Sequence, residues 1–277
     1  MELILKRILR RNKIAREIFY RTKRLILYPL RLTKFKNIAL SPRFPLRDLW
    51  KFSKISLLNE VIPYTLLSYT TLSNVYELSC YVGRQGLPGA FVECGVWKGG
   101  STAVMGAIAH RYGSKRKTWY FDSFEGMPDP TAEDVRGYGK RGAVSDITGD
   151  TLKASVSDVE EIAFTKLQLP RENNIIVKGW FKDTLPMFKR EIGDIAILRL
   201  DGDWYESTKT SLTELYDQII PGGYVIVDDY GSWDGCRKAV HEFLEKRHIN
   251  ADLKFIGTYD PQAYERKMMP GVYFQKK

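Results

Sequence analysis

From residue 90 onward, short apolar runs alternate with stretches of helical period, a pattern that predicts βαβ units on a parallel sheet. The runs are Ala90–Cys94, Thr118–Asp122, Ile175–Lys178, Ile195–Leu200 and Tyr224–Val227. Helices are expected at Gly99–Tyr112, Ser157–Leu169, Lys182–Lys189, Glu206–Ile219 and Trp233–Arg247. Pro221-Gly222-Gly223 reads as a tight turn into the fifth strand. Leu253–Gly257 and Gly271–Gln275 read as a closing antiparallel pair. The sum is a Rossmann-like α/β fold: a mostly parallel seven-stranded sheet, helices on both faces and an antiparallel C-terminal strand. Upstream, residues 56–85 are predicted helical, with Leu57, Leu58, Val61, Ile62, Leu66 and Leu67 as the apolar stripe. Residues 126–155 are polar, contain glycine and lack a period. An insertion of that length in a compact domain is more often a working lid than an idle loop.

Charge divides the chain in two. Residues 1–54 carry 16 Lys/Arg and 3 Asp/Glu, a net of +13, whereas residues 55–277 carry 27 and 30, a net of −3. The overall +10 therefore belongs to a basic N-terminal arm, and residues 55–277 form the expected catalytic domain. Within the arm, Ile4, Ile8, Ala15, Ile18 and Leu25 fall at roughly helical spacing between basic residues. Residues 1–36 thus suit an anionic membrane face, packing on the body or a partner subunit, or, as a third option, disorder. The longest apolar run there, Leu25–Leu30, is far too short to span a bilayer, and basic residues interrupt any secretory signal. Cys80, Cys94 and Cys236 are scattered, which argues against a disulfide framework or zinc site and makes the reducing cytoplasm the expected compartment.

The first strand runs into ECGVWKGGS, Glu93 to Ser101. Glycines 95, 99 and 100 allow close approach of a ligand, but their spacing is not the GxGxxG of dinucleotide sites. Glu93 suits the cationic amino-acid tail of S-adenosylmethionine. Asp122, ending the second strand, can accept from two ribose hydroxyls. Either acid alone reads equally well as a helix cap; in order, at strand ends, they favour an adenosyl ligand. The fourth strand ends in LRLDGDWYEST and the fifth in VIVDDYG. Adjacent strands lie about 4.8 Å apart, so Asp201, Asp203, Asp228 and Asp229 would converge if those strands are neighbours. Carboxylates that close repel unless a cation lies between them. Hard oxygen donors suit Mg2+.

FVECGVWKGGS, YFDSFEGMPDP, GWFKDTLP, ILRLDGDWYEST and GGYVIVDDYG stand in the order they take in the macrocin O-methyltransferase family. From about Thr65 to the C-terminal GVYF, the chain resembles that family. The resemblance implies a class I methyltransferase fold and Mg2+-dependent methyl transfer from S-adenosylmethionine to a sugar hydroxyl. It implies cofactor contacts at Thr65, Glu93, Gly95, Gly100 and Ser101, at Asp122 and Ser123 on the ribose side, and at Gly179 and Trp180 near the adenine. It also implies Mg2+ at Asp201, Asp228 and Asp229. The family's macrolide members carry a lid histidine. This chain's His110, His241 and His248 lie on predicted helices outside the lid. The base is then left among Asp146, Asp150, Asp203 and a metal-bound water, and Asp201, Asp203 and Asp150 form the candidate catalytic set. A glycan or small-molecule acceptor is expected, with a homo-oligomer and no nucleic acid. Rival acceptors are catechols or phenols. An RNA substrate, suggested by the isoelectric point of about 9.3, is opposed by the near-neutral body and by VDDY where an NPPY-type motif would stand. A non-catalytic, membrane-associated protein retaining the fold is the remaining alternative.

Overall fold

The structure is a computed structural model that describes residues 13–31, 33, 35–40, 44–113, 115–134, 152–257 and 271–277. Continuous apolar runs became strands because both of their faces are covered. β1 (Ala90–Cys94) is buried at every position, as is β4 (Ile195–Leu200). With β2 (Thr118–Asp122), β3 (Asn174–Lys178), β5 (Ile219–Val227), β6 (Lys254–Phe255) and β7 (Val272–Gln275) they form a seven-stranded sheet in the order β3-β2-β1-β4-β5-β7-β6. Its first four pairings are parallel, and β7 runs antiparallel to both β5 and β6.

Alternate residues of the strands feed two cores. Val92, Trp119, Leu198 and Val225 pack with α7 (Phe181–Ile192), α8 (Tyr205–Leu215) and α9 (Asp234–Lys246). Phe91, Ile197 and Ile226 pack with α3 (Phe52–Val61), α4 (Tyr69–Arg84) and α5 (Gly100–Arg111). A shorter helix, α6 (Val156–Glu160), continues as a π-helical turn over Glu161–Lys166 and covers Tyr120.

The strand order reverses between β1 and β4, the place where open α/β sheets bind ligands. Register puts four chain segments there side by side. Cys94 pairs with Phe121 and with Leu200, and Leu200 pairs with Val227. The residues that follow, Gly95, Asp122, Asp201 and Asp228, therefore emerge together on one edge.

Two expectations are corrected. The helical block at 56–85 is two helices separated by a 3-10 turn, Ile62–Tyr64. Pro63 cannot donate the hydrogen bond that a continuing helix needs. Ser68 restarts the helix by accepting from the Thr71 N–H at 3.2 Å. In addition, Pro221-Gly222-Gly223 lies inside β5 rather than before it. The pairing steps from Ile195↔Ile219 to Ile197↔Tyr224, so the extra residues are taken up as a bulge.

Of the basic N-terminal stretch, α1 (Lys13–Arg31) and α2 (Lys36–Leu40) are described. Leu27, Ile38 and Phe44 are buried in the same cluster as α3–α5. Asn59 on α3 accepts from the Ile38 N–H at 3.2 Å, and Phe44 meets Tyr69 edge-on at 5.0 Å between centroids. No helix among the described residues is long and apolar enough to cross a membrane.

This packing makes a prediction. Ile38→Ala, at a side chain with no exposed surface, should destabilise the fold by about 2–5 kcal/mol. Leu25→Ala, at an exposed position, should stay within about 0.5 kcal/mol of wild type. Denaturant melts of the two variants check it; equal stability would contradict the docking of α2 on α3.

Candidate active site

The strand-end loops meet more closely than side chains would permit. Gly95 has φ +94°, and a Cβ there would lie 1.9 Å from the Asp201 carbonyl oxygen. Only glycine lets the loop after β1 touch the loop after β4. Gly100 makes a second close approach, since its Cβ would lie 2.7 Å from the Tyr64 carbonyl oxygen. That contact presses the start of α5 against the Pro63 turn and brings Thr65 to the same opening.

A cavity of about 800 Å³ occupies this edge. Thr65, Gly95, Ser101, Asp122, Ser123 and Trp180 line it, together with Asp201, Asp203, Asp228, Asp229 and Trp233. Gly100 and Gly179 lie outside the lining, and their glycine character serves the backbone: φ is +144° at Gly179. Asp122 accepts from the Trp97 N–H and the Phe124 N–H, both at 2.8 Å. Burial raises its pKa, and those two bonds with one from Val96 pull the other way. A carboxylate can accept about four hydrogen bonds, which leaves room for about one more, from a ligand hydroxyl.

Glu93 does not line the cavity. In place of direct contact with a cofactor tail, its fully buried carboxylate accepts from Ser101 Oγ and Thr102 Oγ1, each at 2.6 Å, and from Arg199. The cause is register. Glu93 stands opposite Arg199 on the neighbouring strand, and paired residues project from the same face of a sheet. Burial raises the Glu93 pKa and the guanidinium opposes the rise.

The acids of β4 and β5 do converge. Asp201, Asp228 and Asp229 each offer a carboxylate oxygen within 4.8 Å of the others. Arg199 Nη1 lies 2.8 Å from Asp201, and Nη2 lies 2.9 Å from Asp228. Burial, then the charge of Asp201, pushes Asp228 up to about 7 against the pull of Arg199. Asp229 is raised by burial and by Asp203. Three carboxylates, Glu93, Asp201 and Asp228, thus face a single guanidinium, with Asp229 beside them. All-oxygen donors carrying surplus negative charge fit a hard divalent cation.

Asp203 adjoins this group with φ +56°, in the left-handed region. Trp233 Nε1 donates to its Oδ1 at 2.6 Å, and its own N–H donates to Asp229 at 3.0 Å. Trp233 meets Trp204 edge-on at 4.8 Å. Asp146 and Asp150 lie outside the described residues. None of the three histidines lines the cavity, and His241 is engaged with the Tyr230 hydroxyl at 2.8 Å. Sequence reasoning missed Arg199 and Trp233. A charge in the middle of the apolar run ILRL was the available signal for the first. For Trp233 no comparable signal exists, because an aromatic residue opening a helix is ordinary.

Residues 59–264 match the macrocin-O-methyltransferase (TylF) family. The chain belongs to this family. It is 38% identical over 202 residues to a tetracenomycin rhamnosyl 4'-O-methyltransferase of Streptomyces olivaceus, covering 70% of this chain and 73% of that one. It is also 38% identical over 215 residues to demethyldecarbamoylnovobiocin O-methyltransferase of Streptomyces niveus, covering 77% and 76%. The structure of the O-methyltransferase NovP superposes with a TM-score of 0.65 at 35% identity, covering 77% of this chain and 82% of that one. Calicheamicin methyltransferase CalS11, at 20% identity over 92% and 91% of the two chains, shares the fold with a TM-score of 0.60. This member of the macrocin O-methyltransferase family is accordingly an S-adenosylmethionine-dependent O-methyltransferase of class I fold.

The Gly95 contact can be tested in the O-methyltransferase directly. Gly95→Ala should lower S-adenosylhomocysteine affinity at least about tenfold and cost more than about 1 kcal/mol of stability. Gly113→Ala shares the positive φ (+64°) but has nothing within 4 Å, so it should lose stability only. Calorimetric titration decides between them; unaltered affinity in Gly95→Ala would refute the close-approach argument.

Proposed function

We propose that this enzyme moves the methyl group of S-adenosylmethionine to a hydroxyl of a sugar, on a glycoside or a cell-surface glycan, in a reaction that requires Mg2+. The observation that carries the reading is the meeting of Asp201, Asp228 and Asp229 in the cavity that Asp122 and Ser101 also line. The relatives' names support a sugar acceptor: one methylates a rhamnosyl group.

Thr65, Gly95, Ser101, Asp122, Ser123 and Trp180 are assigned to the methyl donor, with Asp122 holding the ribose. S-adenosylmethionine supplies the electrophilic methyl group, and the protein holds the acceptor oxygen in line with it. Asp201, Asp228 and Asp229 would hold the cation. A sugar hydroxyl is a very weak acid, and a bound divalent cation supplies the Lewis acidity that eases its deprotonation. Asp203, on the cavity wall beside these acids and oriented by Trp233, is assigned as the proton acceptor.

A partner surface is also assigned to α1. Ile18, Leu25 and Tyr28 are exposed while Leu27 is buried, and residues 1–54 carry a net charge of +13. An apolar face with that much basic charge suits an anionic lipid surface, and hence a membrane-proximal acceptor.

Asp229→Asn and Asp201→Asn should each lower methyl transfer by more than about 100-fold while S-adenosylhomocysteine binding persists. Saturating EDTA should silence the wild type; activity that survives it sinks the metal assignment. The raised Asp228 pKa gives the sign of the pH dependence. The folded, cation-free protein keeps a proton that the unfolded chain releases near pH 4, so this group's contribution to stability falls as pH rises from about 4 to about 7. Mg2+ competes with that proton. The Mg2+-induced rise in Tm should therefore be larger at about pH 8 than at about pH 5. For the arm, the double variant Ile18→Ser/Leu25→Ser should lose sedimentation with phosphatidylglycerol vesicles that the wild type shows at low salt. Equal partitioning, or a fall in oligomer mass in the variant instead, would assign the face elsewhere.

A further inference from the structure

The metal-binding acids are held by a side chain that does not itself line the cavity. Arg199 has no exposed surface and lies next to the last residue of the central strand β4. It stands opposite Glu93 on β1 and opposite Ile226 on β5. Residues two apart on a strand share a face, so Arg199 projects on the side of Asp201, two residues on. Asp228 holds the same relation to Ile226. Nη1 reaches both Glu93 and Asp201, and Nη2 reaches Asp228. One guanidinium therefore ties together the ends of three adjacent strands. Through Glu93 it also reaches Ser101 and Thr102 in the first turn of α5.

We propose that Arg199 is a positioning residue for the cation site: its planar fork sets the spacing of Asp201 and Asp228 and locks both to the cofactor-side helix α5 through Glu93. The inference rests on the assignment of those aspartates as metal ligands. Oδ2 of Asp201 accepts a hydrogen bond from Nη1, and Oδ1 of Asp228 is ion-paired with Nη2 at 2.9 Å; each carboxylate has a second oxygen with which it can face a cation. Without the fork, buried carboxylates of like charge would move apart or take up protons. Lysine keeps the charge but not the geometry, because an ammonium is a point donor on a flexible stem and cannot span three carboxylates in a fixed plane.

Charge and geometry predict opposite results, which makes the role testable apart from turnover. If Arg199 acted only as a nearby positive charge, it would repel the incoming cation. Arg199→Met would then bind metal more tightly, and Arg199→Lys would bind as the wild type does. If it acts by positioning, both variants bind more weakly, by about 10- to 100-fold. The probe is Mn2+, followed by electron paramagnetic resonance of the free ion, on full-length protein. S-adenosylhomocysteine binding and thermal melts are recorded on the same samples to confirm a folded cofactor site. The expected result is Mn2+ binding by the wild type, with loss of Mn2+ affinity in Arg199→Lys that exceeds its loss of S-adenosylhomocysteine affinity. Wild-type Mn2+ affinity in Arg199→Lys, or tighter binding in Arg199→Met, overturns the inference while leaving the metal assignment intact. Absence of Mn2+ binding by the wild type overturns both. Should Arg199→Met fail to fold, Arg199→Lys alone decides.

Discussion

The site depends on strand register at one edge of the sheet. Cys94, Phe121, Leu200 and Val227 are mutual partners across four parallel strands, so the residue after each one leaves the sheet at the same level. A slip of one residue would exchange the two faces of a strand. It would turn Arg199 away from Glu93 and break the acid cluster. The apolar residues flanking these positions resist such a slip, because Leu198 and Leu200 feed one core and Ile197 the other. Burial that serves stability thus also fixes the geometry of the site.

The same edge is an electrostatic liability. Burial raises the pKa of Glu93, Asp122, Asp228 and Asp229 alike, so each acid is more costly to ionise there than in water. Arg199 offsets part of this on the interior side, and on the proposed reading a divalent cation offsets the rest from the cavity. A fold optimised for stability alone would place apolar side chains here. Retention of so many acids against one internal guanidinium is intelligible where a ligand of opposite charge is the working partner.

Much of the fold was legible because parallel strands covered on both faces read as unbroken apolar runs. β1, β2 and β4 match their predicted limits. What was not legible depended on contacts distant in sequence. Periodicity alone could not show that Pro63 splits the helical block, since a proline can also kink a helix without ending it. The long β5 was hidden because a Pro-Gly-Gly bulge looks locally like a turn. The acids at Asp122, Asp201, Asp228 and Asp229 were found from their strand-end positions, and all four line the cavity. Glu93 was assigned to the ligand because nothing in ECGVWKGGS reveals a partner more than a hundred residues away. Arg199, the residue that claims it, was visible only as an anomaly within an apolar strand.

Residues 201–205 gather several functions into one short segment. Asp201 belongs to the acid cluster. Asp203 is held in the left-handed conformation and bonded to Trp233. Trp204 Nε1 donates to the Pro128 carbonyl at 2.9 Å, and the Tyr205 N–H donates to Asp134 at 2.8 Å. The last two bonds attach the start of the insertion to the segment that carries the acids. On the proposed reading Asp203 is the proton acceptor, held by the sheet edge itself, and the task does not fall to a lid histidine. Discrimination among acceptors must then come from what surrounds the acids. On the same reading any vicinal pair of oxygens can approach the cation, whereas Met127, Pro128 and Trp233 give the cavity an apolar wall. The wall can reject a substrate by shape, and the acids cannot.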